Sequence, residues 1–174
     1  MKTLATVISC SDRAWEDPTE DRSGAVMRRG LEDMGFEVAP AVVVPAEKER
    51  ITEAIISAVH SGSRIIVTAG GTGLLPRDVT VEATEALIEY EIPGIMEEVR
   101  RRGAEKTPLS LLSRGLVGVV AFPGYPRVLI INAPGSRGGA RDTLGVVGPI
   151  LERIVDSLAG VDHDLARPPS DGSV

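Results

Sequence analysis

Gly70, Gly71, Thr72 and Gly73 follow the apolar run Arg64–Ala69, and Asp78 stands five residues past Gly73 in the stretch Arg77-Asp78-Val79-Thr80. Glycine lets a backbone turn tightly and come close to a ligand. The amides of such a loop can form an anion-binding nest, to which Thr72 adds a hydroxyl donor. The loop is neither a Walker A loop nor a GxGxxG fingerprint, because the lysine-serine/threonine ending and the glycine spacing are both missing. It reads either as a phosphate contact or as a tight turn before a helix. Asp78 has two readings as well. It caps the helix that opens at Thr80, with an ion pair to Arg77, or it holds Mg²⁺ against a nucleotide phosphate, which takes one or two carboxylates.

The same logic returns at Pro134-Gly135-Ser136, where Gly135 and Ser136 stand at the mouth of the last helix. A helix N-terminus attracts anions, and Ser136 is also an ordinary N-cap. Asp12 follows the first strand and either contacts a ligand or metal or caps a turn. His60 and His163 have no metal-ligand neighbour in sequence and read as surface residues. Cys10 is the one cysteine. It reads as a small buried hydrophobe, with nucleophilic catalysis as the minority alternative.

These residues must be positioned by a core almost without aromatics. The chain has 174 residues, of which 43% are hydrophobic and 3% aromatic. That suits one domain with an aliphatic core. The formal net charge of −6 and the scarcity of stacking side chains disfavour nucleic acid. A small phosphate ligand remains open, since backbone amides need no net positive charge. The N-terminal segment is too short for a signal peptide, and no run approaches the ~20 apolar residues of a membrane span. The expectation is a cytoplasmic protein.

Along the chain, Thr3–Cys10, Phe36–Pro45 and Arg64–Ala69 read as strands, the second interrupted by Pro40. Trp15–Gly24 reads as a polar loop. It is followed by a helix with apolar positions Ala25, Val26, Leu31 and Met34, stopped by Gly35. Ile51, Ala54, Ile55, Ala58 and Val59 lie at helical spacing. Thr80 is the expected N-cap of a helix that Pro93 interrupts, and further helical segments follow it. Two apolar runs around Phe122–Arg127 predict a hairpin. The closing helix carries Gly145, Gly148 and Pro149, where a kink is expected. This alternation predicts an α/β domain with a mostly parallel sheet covered on both faces, and ligands in such sheets bind beyond the carboxyl ends of the strands.

Five ordered motifs, GGTG, RDVTVEAT, EIPG, LSRG and PGS, resemble those of the molybdopterin-binding, Mog/MoaB-type family, which includes the G domain of gephyrin. The resemblance covers nearly the whole chain, to the end of the last helix, so residues 1–162 read as one domain; residues 163–174 read from their own sequence as a disordered tail. It implies a three-layer α/β/α Rossmann-like fold and a homotrimer. The implied reaction is Mg²⁺-dependent adenylylation of molybdopterin by ATP, with hand-over of the product to a molybdenum-insertion protein. On this resemblance Gly70–Gly73 hold the nucleotide phosphates, Asp78 organises Mg²⁺ or the reacting phosphates, and Gly135 and Ser136 contact ligand. Asp12 and Glu91 are secondary candidates. Many active members carry an acid directly after the proline that precedes the second helix. Here Ala46 holds that place and Glu47 follows, so Glu47 is the expected substitute. The alternative is a MoaB-like protein that binds molybdopterin without adenylylating it.

Overall fold

A computed structural model describes residues 2–161; His163 and the expected tail 163–174 lie outside the described residues. Seven strands form one mixed sheet in the order β2-β1-β4-β7-β6-β5, with β3 also paired to β1. β1 (Leu4–Cys10), β4 (Ile65–Ala69) and β7 (Val128–Ala133) are the parallel centre. β2 (Glu37–Val38) and β3 (Val42–Val44) pair in parallel with the two ends of β1. They are the two halves of the expected second strand, divided at Pro40. β6 (Val117–Val120) runs antiparallel to β7, as the hairpin reading requires, and β5 (Ile88–Glu91) closes the edge antiparallel to β6.

The central strands are apolar on both faces because helices cover both. Ala5, Val7, Ile65, Val67, Leu129 and Ile131 face α2 (Arg22–Asp33), α5 (Pro93–Ala104) and α6 (Arg137–Leu158). Ile8, Cys10, Ile66, Val128 and Ile130 face α3 (Lys48–His60) and α4 (Thr80–Glu85). In α3 the helical spacing holds: Ile51, Ile55, Ala58 and Val59 are buried and Ala54 is half-buried. Among the described residues no helix is long and apolar enough to cross a membrane.

Four local expectations are corrected. Trp15–Gly24 is no loop: α1 (Asp12–Glu16), a 3₁₀ turn at Pro18–Glu20 and the start of α2 fill it. Asp17 and Asp21 within it are caps, accepting from the Thr19 and Gly24 amides, and Ser11 just before it caps α1 through the Ala14 amide. The buried stripe of α2 runs through Gly24, Met27 and Leu31, while Ala25 and Met34 are exposed. The helix after Thr80 stops at Glu85, and β5 follows it. The β-formers Ile88 and Tyr90 find a ladder partner in β6, at a register shift between them. Thr80 is not the N-cap. Val79 takes that position without a side-chain bond, and the Thr80 amide instead donates to the Gly71 carbonyl at 3.1 Å. The closing helix is α6, 22 residues long, and Pro149 lies inside it, as the sequence places it.

Candidate active site

A cleft of about 820 Å³ opens where β1, β4 and β7 end. The chain leaves β1 for β2 and β3 on one side and returns to β4 on the other, so the loops diverge here and leave a crevice. Gly70–Gly73, Asp12, Asp78, Gly135 and Ser136 all line it. Glu47 and Glu91 do not. Glu47 is the exposed N-cap of α3, and Glu91 lies exposed on the edge strand β5. Ala46 is the residue that reaches the cleft wall from that segment.

The glycine loop is built by contacts that admit no side chain. Gly70 has φ +103°, and a Cβ there would lie 2.6 Å from the Cys10 carbonyl oxygen. Its amide donates to the Ala133 carbonyl at 3.0 Å. A Cβ on Gly135 would stand 3.2 Å from the Gly70 Cα, so the two loops meet glycine to glycine. The amides of Gly71, Thr72 and Gly73 find no protein acceptor among the described residues. Beside them opens α6, whose first amides are unpaired by helix geometry except where the Ser136 hydroxyl accepts from Gly139 at 3.0 Å. Ser136 is therefore a cap at the cleft, and two sets of free amides share one wall. Thr72 is buried, with its hydroxyl 3.4 Å from that of Ser113.

Asp78 closes the turn Leu75–Asp78. Its Oδ2 accepts from the Leu75 amide at 2.9 Å and packs against Gly73, where a Cβ would lie 2.6 Å away. Its other carboxylate oxygen has no partner among the described residues. Arg77 does not pair with Asp78. It makes a forked ion pair with Asp12 at 2.6 and 2.7 Å, and the Ala46 amide donates to the same carboxylate at 2.9 Å. The Arg77 hydrogen bond, with help from the Ala46 amide, holds Asp12 below the usual carboxylate range.

Three further features carried no signal that residue type alone reveals. Arg114 donates to the Gly73 carbonyl at 2.8 Å, the Asp78 carbonyl at 2.7 Å and Glu82 at 2.5 Å, while its amide donates to the Thr72 carbonyl at 2.8 Å. It thereby fixes both ends of the loop. Asp21 is buried between Ser9, the Gly24 amide and Arg28. Lys106 pairs with Asp142 at the far wall. Cys10 is buried behind the glycine loop, and burial pushes its thiol up to about 12. A nucleophilic role does not suit that thiol. His60 is exposed, stacked on Tyr125 at 4.7 Å.

Arg13, Arg22, Arg77 and Lys106 line the cleft against Asp12, Glu20, Asp21, Asp78 and Asp142. With four cations against five carboxylates, the protein offers phosphates directed amides but no surplus of positive charge.

Residues 6–153 match the family described as the probable molybdopterin binding domain. A molybdenum cofactor biosynthesis bifunctional protein of Synechococcus elongatus is 38% identical over 164 residues, which is 94% of this chain and 50% of that protein. The chain thus spans about half the length of that relative. A molybdopterin adenylyltransferase of Helicobacter pylori is 32% identical over 88% of this chain and 86% of its own. The solved structure of the Mog protein of molybdopterin biosynthesis from Mycobacterium ulcerans superposes with a TM-score of 0.81 at 37% identity, covering 92% of this chain and 99% of that one.

Proposed function

The chain belongs to the molybdopterin-binding domain family of molybdenum cofactor biosynthesis, and from that premise we propose that it transfers AMP from ATP to the terminal phosphate of molybdopterin. The products are adenylylated molybdopterin and pyrophosphate. The carrying observation is the convergence of the Gly71–Gly73 amides, the N-terminus of α6 and Asp78 on one cleft. A terminal phosphate oxygen attacks the α-phosphorus of ATP, and the bond from that phosphorus to the bridging oxygen of the β-phosphate breaks. Pyrophosphate leaves with the bonding pair. The attacking group is already anionic, so the step needs placement and charge neutralisation rather than a strong base. The amides orient the phosphates, Gly70 and Gly135 let the two loops close on one another, and Arg114 holds the loop in that shape.

Magnesium ordinarily takes one or two carboxylates and completes its shell with phosphates and water. Asp78, with one carboxylate oxygen uncommitted, fits such a part. Among the described residues there is no cluster of three or more metal-ligating side chains, as suits an ion that arrives with a nucleotide. Bound there, Mg²⁺ would supply the positive charge that the cleft lining lacks. Hand-over to a molybdenum-insertion protein and assembly as a homotrimer belong to the same reading.

The test is pyrophosphate release by purified protein given molybdopterin, ATP and Mg²⁺, with the adenylylated product identified by mass. Absence of ATP-dependent product with any divalent metal overturns it. One observation favours the second reading, a molybdopterin-binding protein without turnover: Ala46 reaches the cleft wall while Glu47 does not. Binding of molybdopterin without binding of ATP, in separate titrations, selects that reading.

A further inference from the structure

The forked pair between Arg77 and Asp12 joins the start of α1 to the loop before α4, 65 residues apart in sequence. The backbone around Arg77 is fixed: the Asp78 amide donates to the Leu75 carbonyl, Val79 to Arg77 and Thr80 to Gly71. Among the described residues the guanidinium is hydrogen-bonded only to Asp12, with a through-space attraction to Glu47. Both side chains are open to water, at 58% and 41% exposure, and exposed ion pairs hold their partners weakly. Asp12 has a second partner, the Ala46 amide, so its carboxylate keeps its place when Arg77 leaves. Arg77 sits four residues past Gly73 on the rim of the same cleft, and a guanidinium fork fits two phosphate oxygens as well as it fits a carboxylate.

We propose that Arg77 is a phosphate-binding residue held in reserve by Asp12, and that an entering polyphosphate takes the guanidinium from the carboxylate. The exchange leaves the protein's own charges in place and brings the negative charge of the phosphate into the cleft. It replaces a carboxylate with a more highly charged anion and leaves Asp12 facing the cleft with only the Ala46 amide bound. This inference extends the nucleotidyl-transfer reading but needs only an anionic phosphate ligand, so it can be tested apart from turnover.

The probe is inorganic pyrophosphate in chelator, without metal, titrated calorimetrically into the protein. Arg77→Gln weakens binding by about tenfold or more, the usual scale for losing one arginine-phosphate fork. Arg77→Lys recovers part of that loss. Asp12→Asn keeps an acceptor for the Ala46 amide and tightens binding by roughly threefold to tenfold, because the competing anion is gone. In the double variant Asp12→Asn/Arg77→Gln the gain disappears. That coupling separates exchange at Arg77 from simple relief of repulsion, which would persist in the double variant. Unchanged binding in Arg77→Gln, weaker or unchanged binding in Asp12→Asn, or a gain surviving in the double variant overturns the proposal. Coupling without adenylylation leaves it standing while the catalytic reading falls.

Discussion

Replacing Arg114 with Met tests whether one side chain holds the glycine loop in shape. Methionine keeps much of the length and removes every guanidinium bond. Two bonds from a charged donor to main-chain carbonyls disappear, those to Gly73 and Asp78. Each is worth about 1.5 kcal/mol at the low end of the range for charged donors, chosen because the side chain is 35% exposed and water partly replaces it. The pair with Glu82 adds about 0.5–1 kcal/mol. The sum is roughly 3.5–4 kcal/mol, and at about 2–4 °C per kcal/mol for a chain of this size the melting temperature falls by about 7–16 °C. Thermal denaturation followed by circular dichroism reads this directly. The pH dependence supplies a second readout. The Arg114 hydrogen bond lowers the Glu82 pKa from its ordinary 4.5. The pair's contribution is therefore fully present above that value and is lost as pH falls through the lowered one. The gap between wild type and variant should narrow in acid by the Glu82 share alone. A melting temperature within about 2 °C of wild type at neutral pH would refute the view of Arg114 as the clamp of this loop.

Asp78→Asn keeps an acceptor for the Leu75 amide, so it should melt like wild type while losing on the order of 10²-fold or more in turnover; full activity in steady-state assays would reduce Asp78 to a turn-former. Gly70→Ala forces a Cβ to within 2.6 Å of the Cys10 carbonyl at a positive φ and should cost about 2–4 kcal/mol in urea denaturation. An unshifted midpoint contradicts the glycine-to-glycine packing. Cys10, with its thiol pushed up to about 12 by burial, should resist iodoacetamide at mildly alkaline pH and react only once the chain is unfolded. Rapid labelling of the folded protein, read by mass spectrometry, would count against its burial.

Apolar strands, the periodicity of α3 and both glycine loops were legible in sequence because each is local: a run of residues reports its own environment. The convergence of Gly70–Gly73, Asp78, Gly135 and Ser136 was legible because each loop follows a strand of a mostly parallel sheet, and such loops leave at the same edge. Strand β5 was hidden because it lies on the edge, mostly exposed, directly after a helix that its own pattern could continue. Arg114 was hidden because two of its side-chain acceptors are carbonyls, which every residue carries, and the third, Glu82, lies 32 residues away in sequence. The Arg77–Asp12 pair was hidden by its span, since Asp78 is the nearest carboxylate in sequence yet is turned toward Leu75. Glu47 was misplaced for a similar reason. Its nearness to Ala46 in sequence suggested the cleft, but as the N-cap of α3 it lies outside.

Beneath the loop, Asn132 on β7 donates to the hydroxyls of Thr68 on β4 at 2.8 Å and Thr84 on α4 at 3.0 Å, and the Thr84 hydroxyl donates to the Thr80 carbonyl at 2.9 Å. All four residues are fully buried. Parallel strands that are apolar on both faces carry little information about their own alignment, because a shift by one residue exchanges one aliphatic side chain for another. Here the same shift would turn Asn132 toward the opposite apolar layer with its amide unpaired, which is costly in the interior. Asn132 thus acts as an index mark for the sheet. It makes β4 and β7 end level with one another, so that the two glycine loops, each beginning at a strand end, emerge at the same height.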